Sequence, residues 1–223
     1  MSSHAHPHAH RLGLPDFRLQ PIVEAAGGHV LGYELCAGRE SVPRLDATQW
    51  VRWYARLPGE LARLDAQDPA LAAKPVFINL DSWQWLHPSI LRSVQACADA
   101  RPVVLEWTER ADNARELEEA SVQVQRWLAH GQVAVDDVGE GYDGLGRCLQ
   151  VLPHFAKLSC NVLHAARSKG PRFLRHVVSA LAELGAQVIV EGVETAQDAQ
   201  LVRDSGAPYA QGFLYGRDLL SVP

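Results

Sequence analysis

Four short apolar runs set the strongest limit on how this chain can fold. They are Val76-Phe77-Ile78, Val103-Val104-Leu105, Val133-Ala134-Val135 and Val188-Ile189-Val190. All are rich in β-branched residues and lack polar alternation, which suits parallel strands buried on both faces. Amphipathic stretches lie between them, at about residues 85 to 100, 113 to 130 and 171 to 184. Gly131 and Gly185 follow two of these stretches and read as helix stops. Strands alternating with helices imply βα units and a parallel sheet. With 223 residues, 47% of them hydrophobic, the chain is long enough to close such units into one barrel-sized domain.

The region before the first run reads differently. Residues 17 to 24 and 29 to 34 flank Ala-Ala-Gly-Gly and predict a β-hairpin. Residues 46 to 66 carry Trp50, Trp53, Tyr54 and Leu57 at helical spacing, a stripe expected to face the core. His4, His6, His8 and His10 alternate with Ala and Pro, so residues 1 to 14 are expected to form a disordered tail ahead of a domain over residues 15 to 223.

Each apolar run closes on a polar residue. Asn79 follows Ile78, Glu106 follows Leu105, Asp136 follows Val135 and Glu191 follows Val190. Further runs lead into Lys157, Gln211 and Glu34. In a closed barrel, parallel strands deliver their C-terminal ends to one mouth, where such residues converge. That mouth would gather Glu34, Asn79, Glu106, Asp136, Asp137, Lys157, Glu191 and Gln211. So many carboxylates need compensation, because like charges raise each other's pKa values. An all-oxygen donor set favours a hard cation such as Mg²⁺ or Mn²⁺. The adjacent Asp136 and Asp137 suit a pair of neighbouring ions and displacement at phosphorus. The alternative is a barrel whose acids are solvated or cap helices.

Composition removes other classes. A net charge of -5 argues against a binder of nucleic-acid polymers, which needs a basic face. Cys36, Cys97, Cys148 and Cys160 lie far apart, with no zinc spacing and no disulfide framework. No run approaches the roughly 18 apolar residues of a membrane span, and no signal-peptide core opens the chain. A cytoplasmic protein is the expectation.

The ordered motifs resemble the EAL domain of bacterial cyclic di-GMP signalling, over about residues 15 to 220. Gln20-Pro21-Ile22-Val23, Gly32-Tyr33-Glu34, Asn79-Leu80 and Leu105-Glu106-Trp107-Thr108-Glu109 carry the likeness. So do Asp136-Asp137-Val138-Gly139-Glu140-Gly141-Tyr142, Lys157, Glu191-Gly192-Val193-Glu194-Thr195 and Gln211-Gly212. The resemblance implies a modified TIM (β/α)8 barrel with one antiparallel strand from the N-terminal hairpin. It implies hydrolysis of cyclic di-GMP to linear 5'-pGpG with Mg²⁺ or Mn²⁺ at a two-metal site. On that basis Glu34, Asn79, Glu106, Asp136 and Asp137 would hold metal. Lys157 and Glu191 would act on the attacking water, and Glu109 would anchor the loop of residues 138 to 143. Gln20, Arg39, Gln211 and Glu194 would lie near the substrate. A homodimer through that loop, or a signalling partner protein, is a further implication.

Four places depart from the family pattern. The signature reads Glu34-Leu35-Cys36, and Gly38 stands where the family places a phosphate-binding Arg, with Arg39 beside it. Val138 and Glu140 replace Phe and Thr, and Ser159 replaces an Asp that helps position the lysine. Two readings remain open from the residues: a phosphodiesterase, and an inactive module that binds cyclic di-GMP or a partner as receptor or scaffold.

Overall fold

The computed structural model describes residues 14–37, 45–108, 113–141, 144–216 and 220–221. Its frame is a sheet in the order β2-β3-β4-β5-β6-β7-β8-β1, closed by pairing of β1 with β2. Strand β1 is Phe17–Glu24 and β2 is Val30–Ala37. Next come β3 (Val76–Leu80), β4 (Val103–Trp107), β5 (Gln132–Val138) and β6 (Phe155–Leu158). The barrel is completed by β7 (Gln187–Val190) and β8 (Tyr209–Gln211). Strands β2 to β8 pair in parallel, whereas β1 is antiparallel to both β2 and β8. A short β9 (Leu220–Ser221) also pairs with β1. The modified barrel with one reversed strand, which the resemblance implies and the hairpin agrees with, is the observed fold.

Helices cover the outside. They are α1 (Ala47–Gln67), α2 (Pro69–Ala72), α3 (Ser82–Trp85), α4 (Pro88–Ala100) and α5 (Ala114–Leu128). After them come α6 (Gly144–Val151), α7 (Cys160–Lys169), α8 (Pro171–Glu183) and α9 (Ala196–Ser205). Helix α1 starts at a reciprocal capping box between Asp46 and Gln49, then buries Trp53, Tyr54, Leu57, Leu61 and Leu64. The aromatic stripe is thus mostly core, each such side chain contributing about 1.5–3 kcal/mol of burial. Gly185 stops α8 at φ 89°, and Gly131 closes the end of α5 through its amide on Trp127 O at 2.8 Å. No helix among the described residues is long and apolar enough to cross a membrane.

The four apolar runs are buried on both faces, as expected. One face meets the helices. The other fills the barrel with Ile22, Phe77, Val104, Ala134, Phe155 and Ile189. The rings of Phe77 and Phe155 meet edge to face at 5.3 Å. Leu14, which composition assigns to the tail, is buried in the outer core. Trp53 Nε1 donates to Pro15 O at 3.1 Å, tying the start of the domain to α1. Residues 1 to 13 lie outside the described residues.

Candidate active site

The polar residues at the mouth sit one pleat above the apolar plug. Side chains two apart on a strand share a face. Phe77 therefore sets Asn79, Val104 sets Glu106 and Ala134 sets Asp136. Phe155, Ile189 and Tyr209 likewise set Lys157, Glu191 and Gln211. Strand β1 runs the other way, so Ile22 sets Gln20, two residues before it. The sequence reading placed these residues after the strands. Most lie within them: Glu34 is inside β2, and Asn79, Glu106, Asp136 and Lys157 are inside their own strands.

Lys157 occupies the centre. Its ammonium lies 3.0 Å from Glu34 Oε2, 3.1 Å from Glu106 Oε2, 3.0 Å from Asp136 Oδ1 and 2.9 Å from Glu191 Oε1. The lysine side chain is 1% exposed. Asn79 Nδ2 donates to Glu34 Oε1 at 2.7 Å, and Gln211 Nε2 donates to Glu34 Oε2 at 2.6 Å and to Gln20 Oε1 at 3.2 Å. The sequence alone called for a metal to compensate the acids; an internal cation already does part of that work.

The acids divide accordingly. Burial works to raise Glu34, but the Lys157 ammonium and the amides of Asn79 and Gln211 outweigh it and hold the carboxyl below its usual value. Glu106, wholly buried, is pushed well above the usual range by desolvation, against the pull of Lys157. Desolvation, with repulsion from Asp136 and Glu34, pushes Glu191 up to about 8. Burial lowers Lys157, yet its acid ring prevails and raises it well above the ordinary lysine value.

The Asp136-Asp137 pair depends on a break in the sheet. The β5–β6 register shifts between Val135 and Val138, and Asp137 has φ 55°. In an unbroken strand adjacent side chains point to opposite faces. The bulge turns both carboxylates towards the mouth. Oxygens of Asp136, Asp137 and Glu191 lie within 4.8 Å of one another. Among the described residues, Glu106 Oε1 is buried without a hydrogen-bond partner. An all-oxygen set with a spare buried carboxylate oxygen fits a hard divalent cation.

Two cavities flank the acids and share Glu34, Cys36, Asp136 and Asp137. One, of about 310 Å³, reaches Trp50, Tyr54 and Asp81. The other, of about 470 Å³, reaches Gln20, Glu194, Gln211 and Phe213. The loop carrying Glu194 is held by Asp198, whose Oδ2 accepts from the amides of Glu194 and Thr195 at 3.2 and 3.0 Å. Arg167 grips the same carboxylate at 2.8 and 3.0 Å. Gly212 packs against this loop so closely that a Cβ there would stand 2.2 Å from Val193 O.

Gln20, Glu34, Asn79, Glu106, Asp136, Asp137, Lys157, Glu191 and Gln211 thus come together, with Glu194 on the adjoining wall. Arg39 and Glu109 lie outside the described residues, as do Gly38, Tyr142 and Asp143. Ser159 is buried and its hydroxyl makes no hydrogen bond among the described residues, while Lys157 is held by four carboxylates without it. Trp83 and Trp85 do not line either cavity; Trp85 is fully buried. The sequence reading missed Arg147, buried on α6 behind Asp136. Its signal was a cation in the stripe Gly144, Arg147, Cys148 and Val151.

The fold and its mouth define a modified TIM barrel with one reversed strand and an acidic, lysine-centred C-terminal face. Residues 55–218 match the family model of the EAL domain, and the chain belongs to that family. A protein of Escherichia coli (strain K12) named "Probable cyclic di-GMP phosphodiesterase PdeB" is 24% identical over 222 residues, covering 90% of this chain and 42% of that protein. The cyclic di-GMP phosphodiesterase TpdA of Vibrio parahaemolyticus is 28% identical over 160 residues, covering 67% of this chain and 27% of its own. The chain therefore spans less than half the length of these relatives. Among solved structures, the manganese/cy-diGMP complex of Klebsiella pneumoniae BlrP1 superposes with TM-score 0.73 at 25% identity, over 92% of this chain and 56% of that one. The calcium complex of the same protein superposes at 0.71, likewise at 25% identity, over 93% and 56%.

Proposed function

We propose that this protein hydrolyses one phosphodiester bond of cyclic di-GMP to give linear 5'-pGpG, with Mg²⁺ or Mn²⁺ bound at the barrel mouth. The observation that carries this reading is the convergence of Glu34, Asn79, Glu106, Asp136, Asp137, Lys157 and Glu191 on one point, with carboxylate oxygens close enough to share cations. A dianionic substrate would be repelled by this acid ring on its own, so bound cations are needed for it to approach. Such ions supply positive charge to the phosphoryl oxygens and acidify water. Glu34, Asn79, Glu106, Asp136 and Asp137 would hold them. Glu191 would take the proton of the water that attacks phosphorus as the bond to the 3' oxygen breaks. Lys157, fixed in position and permanently charged, would stabilise the negative charge that develops.

The two cavities suit the two halves of the substrate. Each offers an aromatic wall for a guanine, Trp50 on one side and Phe213 on the other. Gln20, Gln211 and Glu194 would contact the nucleotide, as would Arg39, and Glu109 would anchor the segment of residues 138 to 143. The outer face of α6 exposes Leu145 and Leu149, with Leu152 just beyond, which supports a homodimer beside that loop. A cytoplasmic setting goes with this role.

The test is incubation of the purified protein with cyclic di-GMP and Mn²⁺, with nucleotides separated over time and Glu34→Ala as control. A linear dinucleotide formed only by the unmodified protein supports the reading; unchanged substrate refutes it. One observation favours a receptor instead: Ser159 stands where the family has an Asp that helps position the lysine. Tight binding of cyclic di-GMP in a chelator, without turnover in Mn²⁺, would establish that second reading.

A further inference from the structure

The bulge that presents Asp136 and Asp137 sits where one ladder ends and another is broken. The β4–β5 ladder ends at Trp107 and Val135, and the β5–β6 ladder skips Asp136 and Asp137. The carbonyls of Trp107 and Asp136 lie at this break, inside the protein. Both accept from one guanidinium: Arg147 Nη1 donates to Trp107 O, and Nη2 donates to Asp136 O at 2.9 Å. The same group lies 5.7 Å from the Trp107 ring centroid. Arg147 is 0% exposed.

Helix α6 is also pressed against the turn by its backbone. A Cβ on Gly144 would stand 2.9 Å from Val138 Cα, so no side chain separates the helix start from the bulge. The cation one turn later therefore reaches the strand ends at a fixed offset. Burying a guanidinium is expensive compared with an apolar residue of similar volume. What the apolar residue could not supply is a flat fork that satisfies two carbonyls from adjacent strands at once.

We infer that Arg147 is the positioning residue of the divalent-cation site. It clamps the ends of β4 and β5 so that Glu106, Asp136 and Asp137 keep a common geometry. This rests on the metal-binding reading above, and it concerns a residue that touches neither cation nor substrate. Partners that orient metal ligands from behind typically change affinity by about 10- to 100-fold when lost.

Arg147→Lys keeps the charge and removes the fork; Arg147→Met keeps volume and removes both. Leu174→Ala, in the core under α8, serves as a control that weakens the fold elsewhere. Three quantities are read on each protein: melting temperature without metal, Mn²⁺ affinity by titration of the free-ion paramagnetic resonance signal, and exchange of the Glu140 and Ser159 amides. Those amides donate to Asp137 O and Val138 O, so they report the turn itself. Arg147→Lys should remain folded, bind Mn²⁺ about 10- to 100-fold more weakly and exchange both amides faster. Leu174→Ala should melt earlier with unchanged Mn²⁺ affinity. Wild-type affinity and exchange in folded Arg147→Lys would overturn the inference. Failure of both Arg147 variants to fold would also overturn it, assigning the residue to global stability. If the unmodified protein takes up no Mn²⁺, the metal reading falls, and amide exchange alone decides whether Arg147 holds the turn.

Discussion

Cation binding at this mouth should release protons, in a number that follows from the carboxylate environment. Glu191 holds its proton up to about pH 8 in the metal-free protein, because it is desolvated and faces Asp136 and Glu34. Glu106 is raised as well, mainly by its complete burial. A cation bound among or beside these oxygens favours their ionised form, so it competes with the protons. One proton displaced from a group titrating near 8 weakens apparent affinity about tenfold for each pH unit below it, or about 1.4 kcal/mol per unit. Participation of Glu106 would steepen that slope. The sign for the metal-free fold is opposite to that of a paired carboxylate. A raised pKa means that the folded state binds the proton more tightly than the unfolded chain. The contribution of Glu191 to stability is full below about pH 4.5 and is lost as pH rises towards 8. Mn²⁺ should thus add little to the melting temperature at pH 6 and progressively more towards pH 8. Calorimetric titration in buffers of different ionisation enthalpy counts the protons directly. A dissociation constant that stays flat from pH 6 to 8, with no net proton release, would refute this account of the carboxylates.

Three further outcomes follow from particular contacts. Lys157→Met leaves the buried acids without their cation and should cost about 3–5 kcal/mol without metal; a melting temperature unchanged in chelator would show that Lys157 does not compensate them. Gly212→Ala puts a Cβ 2.2 Å from Val193 O and should destabilise by about 2 kcal/mol or more, together with loss of turnover, because Gln211 is the preceding residue; wild-type melting would contradict the packing. Arg167→Ala loosens the Glu194 loop by removing the partner that helps hold the Asp198 carboxyl at about 2. Because that pKa is lowered, the contribution is present above about pH 4 and disappears as pH falls through 2. Arg167 is 41% exposed, so the cost at pH 7 should be only about 1 kcal/mol. It should shrink at pH 2.5, and urea unfolding at the two pH values measures the difference.

Much of the barrel was legible because buried parallel strands announce themselves as β-branched runs, and because the residue closing each run repeats one chemistry. The reach of that signal was limited by pairing geometry. It placed Glu34 at a strand end, whereas the strand runs on to Ala37 beside β1. Adjacent Asp136 and Asp137 suggested a carboxylate pair, but the bulge that makes both face the mouth depends on β6 and leaves no local mark. Helices α6, α7 and α9 went unread. Glycines begin α6, and α9 is mostly polar outside Ala199 and Val202. Lys157 was legible as a site residue, but its place among four acids required the stagger of the closed sheet.

The reversal of β1 has a consequence for how this barrel can be wired to anything else. In an all-parallel barrel the chain enters on the face opposite the strand ends that carry chemistry. Here Phe17 pairs with Ala37, beyond Glu34, and Leu220 and Ser221 pair with Leu19 and Arg18 at the same rim. Entry and exit therefore both open on the side where Gln20, Glu34 and Gln211 meet. The first and last strands among the described residues are thus joined to the rest of the chain at the mouth. Changes in how β1 and β9 pair can therefore reach Gln20 and Glu34 directly, along one strand, without crossing the barrel.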